Sequence, residues 1–292
     1  MRKRVTLGVV TGALALSGLA VPAAQADGSG PSYRTAAEQA LKAKQTQNPA
    51  KSAYGAAAIG GLDISFSNFK AVKAVKVGSA SHTSTTITYT MTHAADIDIK
   101  SADFDTGPYL YRGAFDTPDN LLIGDAPATC TATSATTANC KGKVNIYPGY
   151  GDLINSDAGT WRGAAIALDY VTGDFADQGA LGTTLIQRNS TLTVNAAPEP
   201  VKKGNTITVT GKLARANWET NKYAGYTNQP VKLQFRTKSA TSYTTIKTIK
   251  TNSKGELKTT VKASKDGYYR YSFAGTVTTP AVNAPGDFID VR

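Results

Sequence analysis

Thr86-Ile87-Thr88-Tyr89-Thr90-Met91 alternates a small hydroxyl side chain with a large apolar one, and this period of two decides the fold. Successive side chains of a strand point to opposite faces, so the pattern describes a strand with one buried face and one wet face. Asp63-Ile64-Ser65-Phe66-Ser67 and Lys143-Val144-Asn145-Ile146-Tyr147 repeat it, and Ala164–Val171 (AAIALDYV) reads as a more deeply buried strand. Turn-forming clusters (DTGPY, DTPDN, YPGYGD) fall between these runs, and no long helix-period segment follows Gly61. Short strands separated by turn signals predict an all-β fold, with a β-sandwich domain over residues 61–188.

A second series of strands follows: Thr191–Val194, Asn205–Leu213, Pro230–Arg236, Tyr243–Thr251, Glu256–Ala263, Tyr268–Phe273 and Asp287–Val291. Val231, Leu233 and Phe235 face one way, with Lys232, Gln234 and Arg236 opposite. Leu257, Thr259 and Val261 likewise oppose Lys258, Thr260 and Lys262. Seven strands in about 100 residues is the size of an immunoglobulin-like sandwich. The segment ASKDGYYRYSFAG (263–275) resembles the turn into the sixth strand of such a fold, and TLTVNAAPEPVKKGNTITVTGKL (191–213) is similar to the opening strands of Ig-like domains in secreted actinomycete proteins. The resemblance covers residues 189–292. It implies an Ig-like sandwich in which Tyr269, two residues before the inward Tyr271, ties the strand back to upstream backbone through its hydroxyl. It departs from antibody-type domains in lacking an inter-sheet disulfide, and Trp218 falls in an expected loop rather than on a core strand. Such a resemblance specifies a fold and no ligand. The expected architecture is two tandem Ig-like sandwiches.

At the other end, Arg2, Lys3 and Arg4 precede an apolar run (Val5–Val21) and the small-x-small triplet Ala24-Gln25-Ala26, the pattern of a signal peptide over residues 1–26. The run is short and glycine-containing for a span of about 20 residues, and DFIDVR at the C-terminus carries no apolar tail, so a soluble, secreted, extracellular protein starting at Asp27 is expected. Residues 27–60 read as a flexible Ala-rich spacer. Thr35–Glu38 fits a capping box and Glu38–Lys42 a favourable i,i+4 pair, which predicts a fraying helix over about Thr35–Gln45 with only Leu41 to bury.

The chemistry-bearing residues are few. Cys130 and Cys140 predict one disulfide across a hairpin. His82 and His93 are the only histidines, lack the G-x-S-x-G or H-E-x-x-H settings of catalytic pairs, and read as solvated residues. Phe104-Asp105-Thr106-Gly107 matches half of an aspartic-protease site, but the second copy needed to share a proton is missing, so it reads as a turn before Pro108. No enzyme is expected. Asp96, Asp98, Asp103 and Asp105 form an acidic run of the kind that can offer oxygens to calcium, the one cofactor considered.

Charge divides the chain. Residues 189–292 hold 16 Lys/Arg against 6 Asp/Glu, a net +10; residues 27–188 hold 13 against 15, a net −2. Lys247, Lys250, Lys254, Lys258 and Lys262 crowd one stretch, with Tyr243 and Tyr268 close in sequence. Outside a cell such a field suits an anionic cell-wall polymer or extracellular polysaccharide. The sequence holds no specific nucleic-acid motif and leaves the oligomeric state open. The expected function is a secreted, non-catalytic binding or structural module. Its alternatives are a calcium-binding protein, a protease inhibitor presenting Trp218–Asn228, or a hydrolase.

Overall fold

A computed structural model describes residues 32–47 and 61–292; the expected signal peptide and residues 27–31 and 48–60 of the expected spacer lie outside them. The first sandwich uses β1 (Ile64–Lys70), β2 (Ala74–Val77), β3 (Thr83–His93), β4 (Phe104–Gly113), β5 (Pro118–Ile123), β6 (Thr129–Ala132), β7 (Thr137–Ile146), β8 (Gly159–Asp169) and β9 (Phe175–Arg188). One sheet runs in the order β1-β3-β7-β6 and the other β2-β9-β8-β4-β5. Every pairing in them is antiparallel except β2 with β9. In the core, Phe66, Tyr89 and Met91 from the first sheet meet Ala165, Ala167 and Ala176 from the second.

The uninterrupted apolar run of β8 has a physical cause. Ala165 and Ala167 face that core, while Ala164, Ile166 and Leu168 face the other way, into a second buried cluster with Tyr33, Ala37 and Leu41. A strand covered on both faces loses the alternation that a half-wet strand keeps. The cover is a helix, α1 (Tyr33–Gln47). This corrects the spacer reading over those residues. Tyr33, Ala37 and Leu41, four apart, form one buried stripe, so the helix is stabilised by packing rather than by propensity. Burying Leu41 alone is worth about 1.5–3 kcal/mol. The cap also differs: the Thr35 backbone N–H donates to Ser32 Oγ, and Glu38 pairs with Arg34 at 3.3 Å instead of with Lys42. Gly107 is required beneath the helix, because a Cβ there would collide with the Tyr33 hydroxyl.

The second sandwich uses β10 (Ser190–Leu192), β11 (Asn195–Ala197), β12 (Thr206–Asn217), β13 (Lys222–Gly225), β14 (Pro230–Thr237), β15 (Thr244–Lys250), β16 (Glu256–Lys262), β17 (Gly267–Phe273), β18 (Val282–Asn283) and β19 (Asp287–Ile289). All seven expected strands are present, with β11, β13 and β18 as short additions. β12 is the spine of one sheet and pairs with β10, β11, β13 and β16. The other sheet runs β15-β14-β17, with β18 and β19 both on β17. Ile207, Val209, Val231, Leu233, Leu257, Tyr271 and Phe273 fill the core between them. The molecule is an all-β protein of tandem immunoglobulin-like sandwiches.

The strand-tying hydroxyl belongs to Tyr271, not Tyr269: Tyr271 Oη donates to the Val209 carbonyl at 2.9 Å. Trp218 is also corrected. It is 1% exposed and packs with Val75, Val77 and Trp161 of the first sandwich. Its Nε1 donates to the Gly78 carbonyl at 2.9 Å, and its backbone N–H donates to Asn155 Oδ1 at 3.1 Å. Arg188 Nε donates to the Ala216 carbonyl at 2.6 Å, and Gln187 Nε2 to that of Thr276 at 2.9 Å. Burial and a second cation, Arg215, push the Arg188 guanidinium down to about 10. The two sandwiches therefore share a packed, hydrogen-bonded junction.

Candidate binding surface

The basic C-terminal sandwich presents two distinct cationic regions. On β16, Lys258 and Lys262 are exposed and alternate with Leu257, Thr259 and Val261, as the pattern predicted. Lys250 ends β15, Lys254 sits in the turn between the two strands, and both are exposed. Lys247 is different. Its Nζ donates to Thr259 Oγ1 at 3.0 Å and to the Thr260 carbonyl at 2.9 Å, clamping the edge strands of the two sheets together. The sequence groups it with the free lysines because spacing does not reveal that β15 and β16 belong to different sheets.

The second region was not singled out in the sequence. β14 and β17 pair with Gln234 opposite Arg270 and Arg236 opposite Tyr268, and β19 places Phe288 beside Tyr268. On the outer face this register stacks charge on rings. The Arg270 guanidinium lies 3.9 Å from the Tyr243 ring centre, and Arg236 lies 4.1 Å from that of Tyr268. The Tyr268 and Phe288 rings are 5.2 Å apart, and Lys238 Nζ reaches to 5.6 Å of Phe288. Arg270 Nε donates to Gln234 Oε1 at 2.9 Å and Arg236 to the Ala240 carbonyl at 2.8 Å, both neutral acceptors. Among the described residues, the one ion pair within 189–292 joins Arg292 and Asp290. The positive charge of this sheet is thus positioned but uncompensated by protein carboxylates. Alternation placed Gln234 and Arg236 outward; the cross-strand stacking depends on register, which alternation alone leaves undetermined.

The remaining sequence candidates are dispersed. Cys130 and Cys140 are directly opposed on β6 and β7 and form the expected disulfide. Asp96, Asp98 and Asp103 line one open depression with Asp63 and Asp169. Asp98 Oδ1 accepts the Lys100 backbone N–H at 3.0 Å, Asp169 Oδ1 that of Val171 at 2.8 Å, and Asp105 is turned to the Tyr170 hydroxyl at 2.8 Å. Among the described residues, no three His, Cys, Asp or Glu side chains gather into a metal-holding group. Phe104–Gly107 lies inside β4 rather than in a turn. His93 is buried, not solvated: its Nδ1 is 2.9 Å from the Ala94 carbonyl and its Nε2 has no hydrogen-bond partner. His82 stacks on Tyr147 at 4.4 Å. The supposed inhibitor loop is part strand, since Lys222–Gly225 pairs with β12 and Trp218 is buried. Among the described residues, no helix is long and apolar enough to cross a membrane.

No known protein family and no curated protein matches the chain. Among solved structures it is similar to a marsupial T cell receptor at 10% identity, covering 78% of this chain and 73% of that one with a TM-score of 0.35. It is also similar to the fibronectin(III)-like modules of Clostridium thermocellum CbhA at 12% identity (78% of this chain, 92% of that chain, TM-score 0.27). A third likeness is to the D0-D1 domain of Intimin at 17% identity (79% of this chain, 99% of that chain, TM-score 0.25).

Proposed function

We propose that this protein is a secreted, non-catalytic extracellular binding module that holds an anionic cell-wall polymer or extracellular polysaccharide on its C-terminal sandwich. The observation that carries this reading is the outer face of β14 and β17, where the guanidinium groups of Arg236 and Arg270 sit over the rings of Tyr268 and Tyr243 without a carboxylate partner among the described residues. Guanidinium groups preorganised on rings lose little side-chain entropy when they engage an anion, and the planar fork suits carboxylate or phosphate oxygens. The exposed Lys258 and Lys262 extend the positive field on the neighbouring sheet. The net −2 of residues 27–188 makes that half a poor contributor to polyanion binding.

Co-sedimentation of the whole protein with a purified, teichoic-acid-bearing wall fraction tests the reading. Charge-driven binding releases counterions, so retention should fall steeply as salt rises. The change Arg236→Ala with Arg270→Ala should lower retention most, and Lys258→Glu with Lys262→Glu should lower it further. Retention indifferent to salt, or unchanged in both double variants, would refute the assignment.

A further inference from the structure

Beneath α1 lies a group of side chains that neither the binding surface nor the junction uses. Lys44, in the last turns of the helix, points its ammonium into the first sandwich with the side chain only 5% exposed. Its Nζ stands 2.9 Å from Asp177 Oδ2 and 3.5 Å from Asp116 Oδ1, over the face of Phe115 at 3.2 Å from the ring centre. Asp177, on β9, is fully buried. Its other oxygen, Oδ1, accepts the Tyr109 hydroxyl at 2.6 Å. An amine, an acid and a second carboxylate are thus held together where solvent is largely excluded.

We propose that Lys44 and Asp177 condense into an intramolecular amide that ties α1 covalently to β9. One proton first passes from the Lys44 ammonium to Asp177 Oδ2, leaving a neutral amine and a neutral carboxyl group. The amine lone pair then attacks Asp177 Cγ and the new C–N bond forms. Negative charge develops on Oδ1, where the Tyr109 hydroxyl already donates. Asp116 takes a proton from the nitrogen and delivers it to the departing hydroxyl. The C–O bond breaks, one water leaves, and Asp116 returns to its starting state. No electrons are exchanged and no co-reactant is required.

Two physical terms favour this step over a persisting ion pair. A charged pair held out of water bears a desolvation cost that a neutral amide avoids. Burial pushes the Asp177 carboxyl up, towards the protonated form that condenses, while Lys44 opposes that shift. Holding the groups in contact also replaces a bimolecular encounter, and well-oriented intramolecular reactions reach effective molarities of about 10⁵–10⁸ M. Asp116, about a quarter exposed, sits at the rim through which the released water can leave.

Mass spectrometry of the purified whole protein, denatured and with its disulfide reduced, decides the matter. The expected mass is lower by one water molecule than that calculated for the same polypeptide, from its determined N-terminus to Arg292, without a cross-link. Proteolysis should then yield a branched peptide joining the Lys44 segment to the Asp177 segment. The variant Lys44→Arg retains a cation and an ion pair but cannot form this bond, so it should show the full mass, as should Asp177→Ala. Asp116→Ala should leave most of the folded protein at full mass. Wild-type protein at full mass, or a water loss that maps to a single unbranched peptide, overturns the proposal.

Discussion

The two sandwiches solve one problem in different ways. The C-terminal one keeps each sheet half wet: on β16, exposed Lys258, Thr260 and Lys262 alternate with more buried neighbours. The first sandwich buries both faces of its central strand β8, covers the outer one with α1, and joins β6 to β7 in its other sheet with a disulfide. A sheet with one wet face is specified locally, by alternation alone. A sheet with two dry faces needs a partner from elsewhere in the chain, and here that partner is the helix α1.

The largest effect is expected at the junction. Trp218→Ala should cost about 3–5 kcal/mol, as expected for emptying a buried aromatic site. Urea unfolding followed by circular dichroism would measure it. A much smaller loss would mean that each sandwich stands alone. Removing the covalent staple, with Cys130→Ser and Cys140→Ser, should cost about 2–3 kcal/mol by the loop-entropy estimate. Hydrogen exchange should place that loss in β6 and β7; a loss spread evenly over both sandwiches would contradict a staple that acts on the first sandwich alone.

Within the C-terminal sandwich, Tyr271→Phe removes the hydroxyl that satisfies the Val209 carbonyl and should cost about 1 kcal/mol. The corresponding change Tyr269→Phe should be close to silent in the same thermal melts, and equal effects would reinstate Tyr269 as the tying residue. The smallest effect is expected for Lys258→Glu with Lys262→Glu, each within about 0.5 kcal/mol because both side chains face solvent. A large destabilisation there would show that these lysines support the fold rather than a ligand.

This contrast explains what could be read from the sequence. Seven of the ten strands of the C-terminal sandwich are legible because alternation and turn residues agree. α1 was undervalued because Tyr33 and Ala37 acquire a buried partner only once β4 and β8 are assembled. Trp218 was misplaced for a related reason: its packing partners Val75 and Trp161 lie far away in sequence. The lysines of β16 were visible, whereas the Arg–Tyr stacks needed the pairing of β14 with β17 and the position of Tyr243 beyond it. His93 was misread because its burial at the end of β3 follows from the neighbouring strands and not from its own polar flank.

The chain carries two tryptophans, Trp161 and Trp218, and both belong to the buried cluster at the junction between the sandwiches. Intrinsic tryptophan emission is therefore a local probe in this protein. It should red-shift when the sandwiches part, even if each remains folded, and should stay unchanged when α1 lifts or the basic sheet takes up a polymer. Tyrosine emission and circular dichroism report on the rest. A fluorescence transition that precedes the circular-dichroism transition would time the opening of the junction without any added label.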